Sequence, residues 1–317
     1  MMRRGDAGMK RRTILLGTGL LAGGAIAKAA SPSMAESKLK VEIPQTTISP
    51  TASPKPASPK PTSPKPVMPK SDPAMLRGKM VTIAGSLKGY VVTPKEGKAP
   101  FPTVLVIMEA FGLNNQIKGV CDLYASYGYA AIAPDIYDGA TFSYDKVGDA
   151  VAKLKTLKDE IVVKQFGQTL DFVAKQPEMR SDAVGTIGFC MGGRYSFLIS
   201  AMFADRIQGA VCFYGGGIAP APDPSGRASL LPLVSKIKAP IMFIYSAEDE
   251  YINGAEHARI AQAMTDARKR YILSVTPNTQ HGFMNEARST YNESAASEAW
   301  DMAFGFFKRY VKNRVKG

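Results

Sequence analysis

The sequence from residue 80 onward predicts an α/β domain with a mostly parallel central sheet and helices on both of its faces. Short apolar runs rich in β-branched residues alternate there with stretches of helical periodicity. The region is about 240 residues long, which suits a single domain of this class.

The strands are predicted from short apolar runs that turn residues bound on either side. An opening hairpin covers 81–92, and further strands follow at 103–108, 130–133, 184–189, 209–214, 240–245 and 271–275. The helices are predicted from apolar residues at helical spacing between those runs. They cover 116–127, 147–175 with one break, Met191–Met202, 254–268 and a terminal stretch through Trp300 and Phe307.

Composition and charge limit the function classes. The chain has 317 residues, 45% hydrophobic and 21% charged, which excludes a fibrous or wholly disordered protein. Its net charge is +13, but residues 1–70 hold 12 basic against 3 acidic side chains, whereas residues 71–317 hold 28 against 24. The nearly balanced part lacks the basic surface that nucleic-acid binding needs, so we expect no nucleic-acid partner.

The N-terminal tail predicts export followed by a spacer. Residues 1–29 place basic residues before an apolar stretch and a small-residue site, as in a secretory signal of the twin-arginine kind. The alternative is an uncleaved membrane anchor or a misassigned start.

Residues 30–75 repeat Ser-Pro-Lys-Pro at five-residue spacing, which predicts a disordered, semi-rigid linker before a domain at 76–317. We therefore expect a periplasmic or extracellular protein. Its linker is either a solvated spacer or a contact to anionic cell-envelope polymer, and the spacer is the simpler interpretation.

Three cysteines and two histidines narrow the chemistry. Cys121, Cys190 and Cys212 cannot all be paired, and they lack the close spacing of a zinc or redox site. Any reaction that needs an imidazole depends on His257 or His281. We expect Cys190 to be recessed, the other two cysteines to lie in the core, and His257 to lie on the surface of its helix.

Residues 188–192 (Gly-Phe-Cys-Met-Gly) lie between a predicted strand and a predicted helix. This is the form of a nucleophile elbow, with cysteine in the place that serine usually holds, and the glycines leave room for the sharp turn. The N-terminus of the helix favours the thiolate of Cys190. A buried cysteine in a glycine-rich turn is the alternative interpretation.

Two later turns supply an acid and a base in the order typical of α/β hydrolases. Asp249 follows one predicted strand, with Glu248 and Glu250 as rivals, and His281 follows the next strand. In this hypothesis His281 takes the thiol proton and returns it to the leaving group, and Asp249 orients the ring.

A further turn follows the strand predicted at 103–108. The backbone N–H groups of Ala110 and Met191 are candidates for an oxyanion hole. Glu109, beside Ala110, is costly to bury without a partner, so we expect it either to pair locally or to serve the site.

These motifs resemble the dienelactone hydrolase family of α/β hydrolases. The resemblance covers residues 80–309 and rests on four segments, 109–112 (Glu-Ala-Phe-Gly), 129–137, 188–193 and 281–283 (His-Gly-Phe). It implies the α/β-hydrolase fold and a triad of Cys190, Asp249 and His281. It also implies that Glu109 contacts the resting thiol and helps to convert it to thiolate when substrate enters. The implied reaction is hydrolysis of an ester or lactone through an acyl-thioester, without metal or organic cofactor.

The substrate pocket departs from the family pattern. Members that act on dienelactone hold its carboxylate with arginines, but here the first such position is Asn285, with Arg288 nearby, and no arginine occurs between residues 77 and 180. Lysines at 146–155 lack the bidentate fork of arginine. We place Tyr137, Asn285 and Arg288 at the substrate and expect a different small ester or lactone.

Two other functions stay open. The same triad serves thioesters and peptide-like acyl groups. Alternatively, the domain is a non-catalytic, wall-associated binding module with a vestigial triad. We expect a monomer whose partner is a small-molecule ester or lactone.

Overall fold

The structure is a computed structural model that describes residues 73–221 and 228–313. The predicted export signal at 1–29 and nearly all of the predicted linker lie outside the described residues. The last three linker residues, Pro73–Met75, form a short 3-10 turn. No helix of the described part is both long and apolar enough to cross a membrane.

The described residues form one eight-stranded sheet with the order β1-β2-β4-β3-β5-β6-β7-β8. Its strands are β1 Lys79–Ala84, β2 Leu87–Val92, β3 Phe101–Ile107, β4 Ala130–Pro134, β5 Met179–Phe189, β6 Ile207–Phe213, β7 Ile241–Ser246 and β8 Tyr271–Thr276. β2 runs antiparallel to both of its neighbours, and every other neighbouring pair is parallel. This confirms the predicted mostly parallel sheet.

Six helices connect or follow the strands in the described part. They are α1 Asn115–Ser126, α2 Val147–Lys155, α3 Asp159–Ala174, α4 Met191–Met202, α5 Gly254–Asp266 and α6 Glu293–Phe307, and α6 continues into a wider turn at Lys308–Lys312. Asparagine side chains cap α1, α5 and α6 by accepting a backbone N–H of the first turn. The break predicted within 147–175 falls between α2 and α3.

The core lies on both sides of the sheet. All residues of β3, β4 and β7 are buried, which requires cover on both faces, as in parallel sheets generally. Cys121 of α1 and Cys212 of β6 are fully buried there, which confirms their predicted core positions. The register aligns Ile107 with Gly188 and Phe189 with Phe213, so β3, β5 and β6 end together at one edge.

Two expectations about local structure were wrong. β5 begins at Met179 rather than at 184, because its second to fourth residues are polar and carry no apolar signal. His257 is buried rather than on the surface, since the inner face of α5 stacks its ring on Tyr245 at a centroid distance of 4.0 Å.

Candidate active site

Cys190 lies where β5 ends and α4 begins. Its backbone has φ 54° and ψ −118°, a left-handed conformation that is strained for a residue with a side chain. The Cys190 N–H donates a hydrogen bond to the Phe213 carbonyl at 3.0 Å, which ties the turn to β6. Cys190 is neither fully buried nor fully exposed, and its predicted recessed position stays a prediction.

Glycines on either side make this turn sterically accessible. A Cβ atom built at Gly188 would overlap the Gly192 carbonyl, and one built at Gly192 would overlap the Ile107 carbonyl. The close approach of α4 to β3 and β5 therefore depends on glycine at both positions.

Asp249 and His281 meet in loops that follow β7 and β8. His281 Nδ1 lies 2.9 Å from Asp249 Oδ2, and the Asp249 side chain is fully buried. Backbone N–H groups of Tyr251 and Ile252 donate to Asp249 Oδ1 at 3.0 and 3.1 Å. The structure thus places Asp249, rather than Glu248 or Glu250, beside the imidazole.

The two loops are tied together by hydrogen bonds outside the catalytic groups. Ser246 Oγ donates to the Gln280 carbonyl at 2.9 Å, and the Glu248 N–H donates to the Thr279 carbonyl at 2.9 Å. These bonds fix the position of the Asp249 loop relative to the His281 loop, and a triad needs such a fixed position for the alignment of its side chains.

The His281 ring also interacts with Cys190. Burial by itself lowers the pKa of His281, but the negative charge of Cys190 and hydrogen bonds with Asp249 and Cys190 outweigh it and raise the pKa to about 10. Since Nδ1 is engaged with Asp249, Nε2 is the nitrogen left for the sulfur. The raised pKa supports a protonated imidazole at neutral pH.

Glu109 is buried directly after β3 and is 1% exposed. Burial raises the pKa of Glu109, and the charges of Arg288 and His281 oppose that rise. Asn285 Nδ2 donates to Glu109 Oε2 at 3.0 Å, whereas Oε1 has no hydrogen-bond partner among the described residues. The contact with Cys190 that the resemblance implies is not among the hydrogen bonds that the Glu109 carboxyl group makes with described residues, and it stays a prediction.

Asn285 therefore has a different place from the one predicted. It is fully buried and does not line the cavity beside Cys190, so the expectation of direct substrate contact was wrong for this residue. Its amide also donates to the Tyr144 hydroxyl at 2.9 Å, and Asn114 donates to the same hydroxyl at 3.0 Å. Asn285 acts as a positioning residue for the Glu109 carboxyl group.

The bond between Asn285 and Glu109 gives a measurable stability prediction. Asn285→Ala leaves a buried carboxyl oxygen without its donor, and we expect the free energy of unfolding to fall by about 2 kcal/mol. Urea denaturation at pH 7 of Asn285→Ala, Glu109→Ala and the double variant measures the coupling. Additive effects of the two substitutions would contradict the assignment.

Two backbone donors face the same cavity. The N–H groups of Ala110 and Met191 donate no hydrogen bond to another described residue, and both residues line the cavity that contains Cys190. An unsatisfied N–H pair next to a nucleophile can bind a developing oxyanion. Both residues thus line the cavity, and the oxyanion hole stays a prediction.

The cavity has a volume of about 560 Å³, and Cys190 and His281 lie at its surface. Arg288 also lines it, with its guanidinium 5.7 Å from the Phe111 ring centroid. Tyr137 does not line it: the side chain is buried, with its hydroxyl 3.6 Å from Met191 Sδ. Of these two predicted substrate contacts, Arg288 lines the cavity and Tyr137 does not.

Several site residues were missed by the sequence analysis. Tyr214 and Tyr251 flank the His281 ring edge to face, at centroid distances of 5.0 and 5.1 Å. Buried Arg194 forms a bidentate pair with Asp159 and donates to the carbonyl of Gly217, a residue of the cavity wall. The position of Tyr214 directly after a strand was a usable signal, but the partners of Arg194 were not visible in the sequence.

Comparison with known proteins agrees with this geometry. A model of the dienelactone hydrolase family matches residues 87–311. Protein usf of Aquifex pyrophilus is 32% identical over 235 residues, which cover 71% of this chain and 94% of that protein. A candidate carboxymethylenebutenolidase of Aquifex aeolicus is 31% identical over 236 residues, with coverage of 71% and 94%.

A solved structure shares the fold. The crystal structure of a candidate dienelactone hydrolase from Klebsiella pneumoniae superposes with a TM-score of 0.68 at 24% identity, and the match covers 74% of this chain and 99% of that one. The candidate site residues lie in the turns and loops after β3, β5, β7 and β8, and this arrangement agrees with the family match. The chain belongs to the dienelactone hydrolase family of α/β hydrolases.

Proposed function

We propose that this protein is an exported hydrolase of small carboxylic esters or lactones that uses Cys190 as its nucleophile. Membership of the family makes it a hydrolase of this substrate class. One observation carries the choice of nucleophile: of the three cysteines, Cys190 alone lines the cavity, and it lies beside an imidazole that Asp249 holds.

In the first half of the reaction, Cys190 Sγ attacks the carbonyl carbon and a C–S bond forms. The carbonyl electron pair moves to oxygen, where the N–H groups of Ala110 and Met191 stabilise the negative charge. When the tetrahedral intermediate collapses, the C–O bond breaks and His281 Nε2 gives its proton to the leaving oxygen. An alcohol departs, and an acyl-thioester remains on Cys190.

In the second half, His281 Nε2 takes a proton from water, whose oxygen adds to the thioester carbonyl. The C–S bond then breaks and the carboxylic acid leaves. Thiolate and protonated imidazole are restored, so the net change is ester plus water to acid plus alcohol. A lactone follows the same steps, but its alcohol stays attached to the acyl group.

We assign Glu109 the task of accepting the Cys190 proton when substrate enters. Three features support this role: Glu109 is buried, its pKa is raised by that burial, and Oε1 is left without a hydrogen-bond partner among the described residues. A carboxylate of raised pKa takes up a proton at a higher pH than an exposed one. Proton transfer from Sγ to Oε1 then leaves a thiolate and a neutral carboxylic acid, which returns the proton to Sγ once the product acid has left the cavity.

Export and presentation are further parts of the proposal. Residues 1–29 have the order of a twin-arginine-like secretory signal, and residues 30–75 have the composition of a semi-rigid spacer. We propose a periplasmic or extracellular monomer whose catalytic domain is held on this spacer, with contact to envelope polymer as the alternative role of the linker.

The acyl-thioester gives the direct test. We expect the full chain, mixed with p-nitrophenyl acetate and quenched early, to carry one acetyl group on the peptide that contains Cys190, and neutral hydroxylamine to remove it. Cys121→Ala, which removes a thiol remote from the cavity, is the matched control and should be acetylated equally. Turnover without any adduct at Cys190 would reject the thiol mechanism, and a folded, reduced protein inactive on all esters would favour a binding module.

A further inference from the structure

Helix α2 places an apolar face against the catalytic cavity. Val147, Ala150, Val151 and Leu154, here called the α2 wall, line the cavity and follow one another at helical spacing. Ala150 anchors the helix in a small apolar cluster with Ala110 and Phe111. The turn that carries one oxyanion donor therefore also holds the α2 wall.

Two residues of this wall are only partly covered by the protein. Val147 and Val151 are 40% and 37% exposed, whereas Ala150 between them is fully buried. An apolar side chain left open inside a cavity gains free energy when a ligand removes it from water. No acidic residue is among the described residues that line this cavity. The charged side chains that line the cavity include basic Lys155 and Arg288, which disfavour a cationic chain, and the apolar α2 wall favours an apolar chain over a polyhydroxylated one.

We propose that the α2 wall selects esters with an extended, unbranched apolar chain of about six to eight carbons. This range is inferred from the cavity volume, which lies within the range of pockets that bind drug-sized ligands. This inference rests on the proposed ester hydrolysis and adds its substrate class. The carbonyl lies at Cys190, between the donors of Ala110 and Met191, and the chain runs along Val147 and Val151. A cavity of about 560 Å³ is larger than an acetyl group needs.

The expected selectivity follows from the hydrophobic effect. Each methylene that the wall removes from water contributes about fourfold to kcat/KM. From acetate to hexanoate we therefore expect kcat/KM to rise by about 100-fold if most added methylenes are covered. The rise stops once the chain extends past the α2 wall, because further methylenes then stay in water.

The test uses two ester series with the full chain. p-Nitrophenyl esters from acetate to octanoate lengthen the acyl side, and alkyl acetates from ethyl to octyl lengthen the alcohol side. Val147→Asp places a carboxylate on the wall, and Ile161→Asp is the matched control. Both residues lie in the first turn of a helix, where a carboxylate is tolerated, and both are exposed, but only Val147 lines the cavity.

We expect Val147→Asp to lower kcat/KM by a factor that is about tenfold larger for the long chains of one series than for its shortest member. Ile161→Asp should leave both values unchanged. Val151→Thr keeps the shape of valine but replaces a methyl group by a hydroxyl. We expect this variant to reduce, but not abolish, the rise of kcat/KM with chain length in the same series.

The two proposals fail in different ways. If wild type cleaves acetate esters but neither series rises with chain length, the selectivity inference is overturned and ester hydrolysis stands. The same holds if Val147→Asp and Ile161→Asp behave alike. If no ester of either series is cleaved, the proposed function itself fails.

Discussion

Replacing Cys190 by alanine is expected to lower kcat for a short aryl ester by about 10⁴-fold or more, because the variant has no group that can form the acyl-enzyme. The remaining rate reflects binding and the N–H donors of Ala110 and Met191. Initial rates at saturating ester, with the folded fraction checked by circular dichroism, give the measurement.

Cys190→Ser tests whether the reaction needs a thiol at this turn or only a side chain with a hydroxyl nucleophile. A serine hydroxyl is a far weaker nucleophile than a thiolate, so we expect the serine variant to be much slower than the wild type. Wild-type rates in Cys190→Ala would show that the nucleophile lies elsewhere.

The second large effect is expected for Asp249→Asn. The amide removes the negative charge beside His281 Nδ1 and favours the wrong tautomer, so kcat should fall by about 10⁴-fold. Since Asp249 is one of the groups that raise the pKa of His281, the pKa of the ring should fall as well.

Two histidines in the whole chain make this pKa change measurable. Imidazole proton signals followed by NMR between pH 5 and 11 in about half-unit steps report His257 and His281 separately, once His257→Gln has identified the first. A His281 pKa that is unchanged in Asp249→Asn would contradict the pairing.

The candidate catalytic residues were accessible from sequence because each lies in the turn or loop that follows a strand. Parallel strands end at a common edge, so Cys190, Asp249 and His281 converge once the strand order is right. The glycines of 188–192 mark the strained turn, and the order of nucleophile, acid and base leaves few alternatives.

Asn285 shows where such reasoning stops. Its partner Glu109 is 176 positions away in the chain, and no local pattern indicates that an asparagine close after the histidine turns inward to a carboxyl group. Local spacing predicted a substrate contact there, whereas packing between the loops after β3 and β8 decided otherwise.

The same limit applies to α2 and α5. The apolar residues of α2 predict a buried helix face, yet Val147 and Val151 remain exposed to the cavity. The mixed composition of α5 predicts an exposed His257, yet Tyr245 of β7 covers its ring. In both helices the neighbour that decides burial comes from another part of the chain.

By itself, the sequence determined the α/β class, the order of strands and helices, and the candidate nucleophile, acid and base, because these depend on local periodicity and turn chemistry. Only the tertiary structure decided which side chain holds Glu109, which predicted contacts reach the cavity, and that α2 forms its apolar wall. Those features arise from contacts between distant segments, whose geometry is set by the packing of the whole domain.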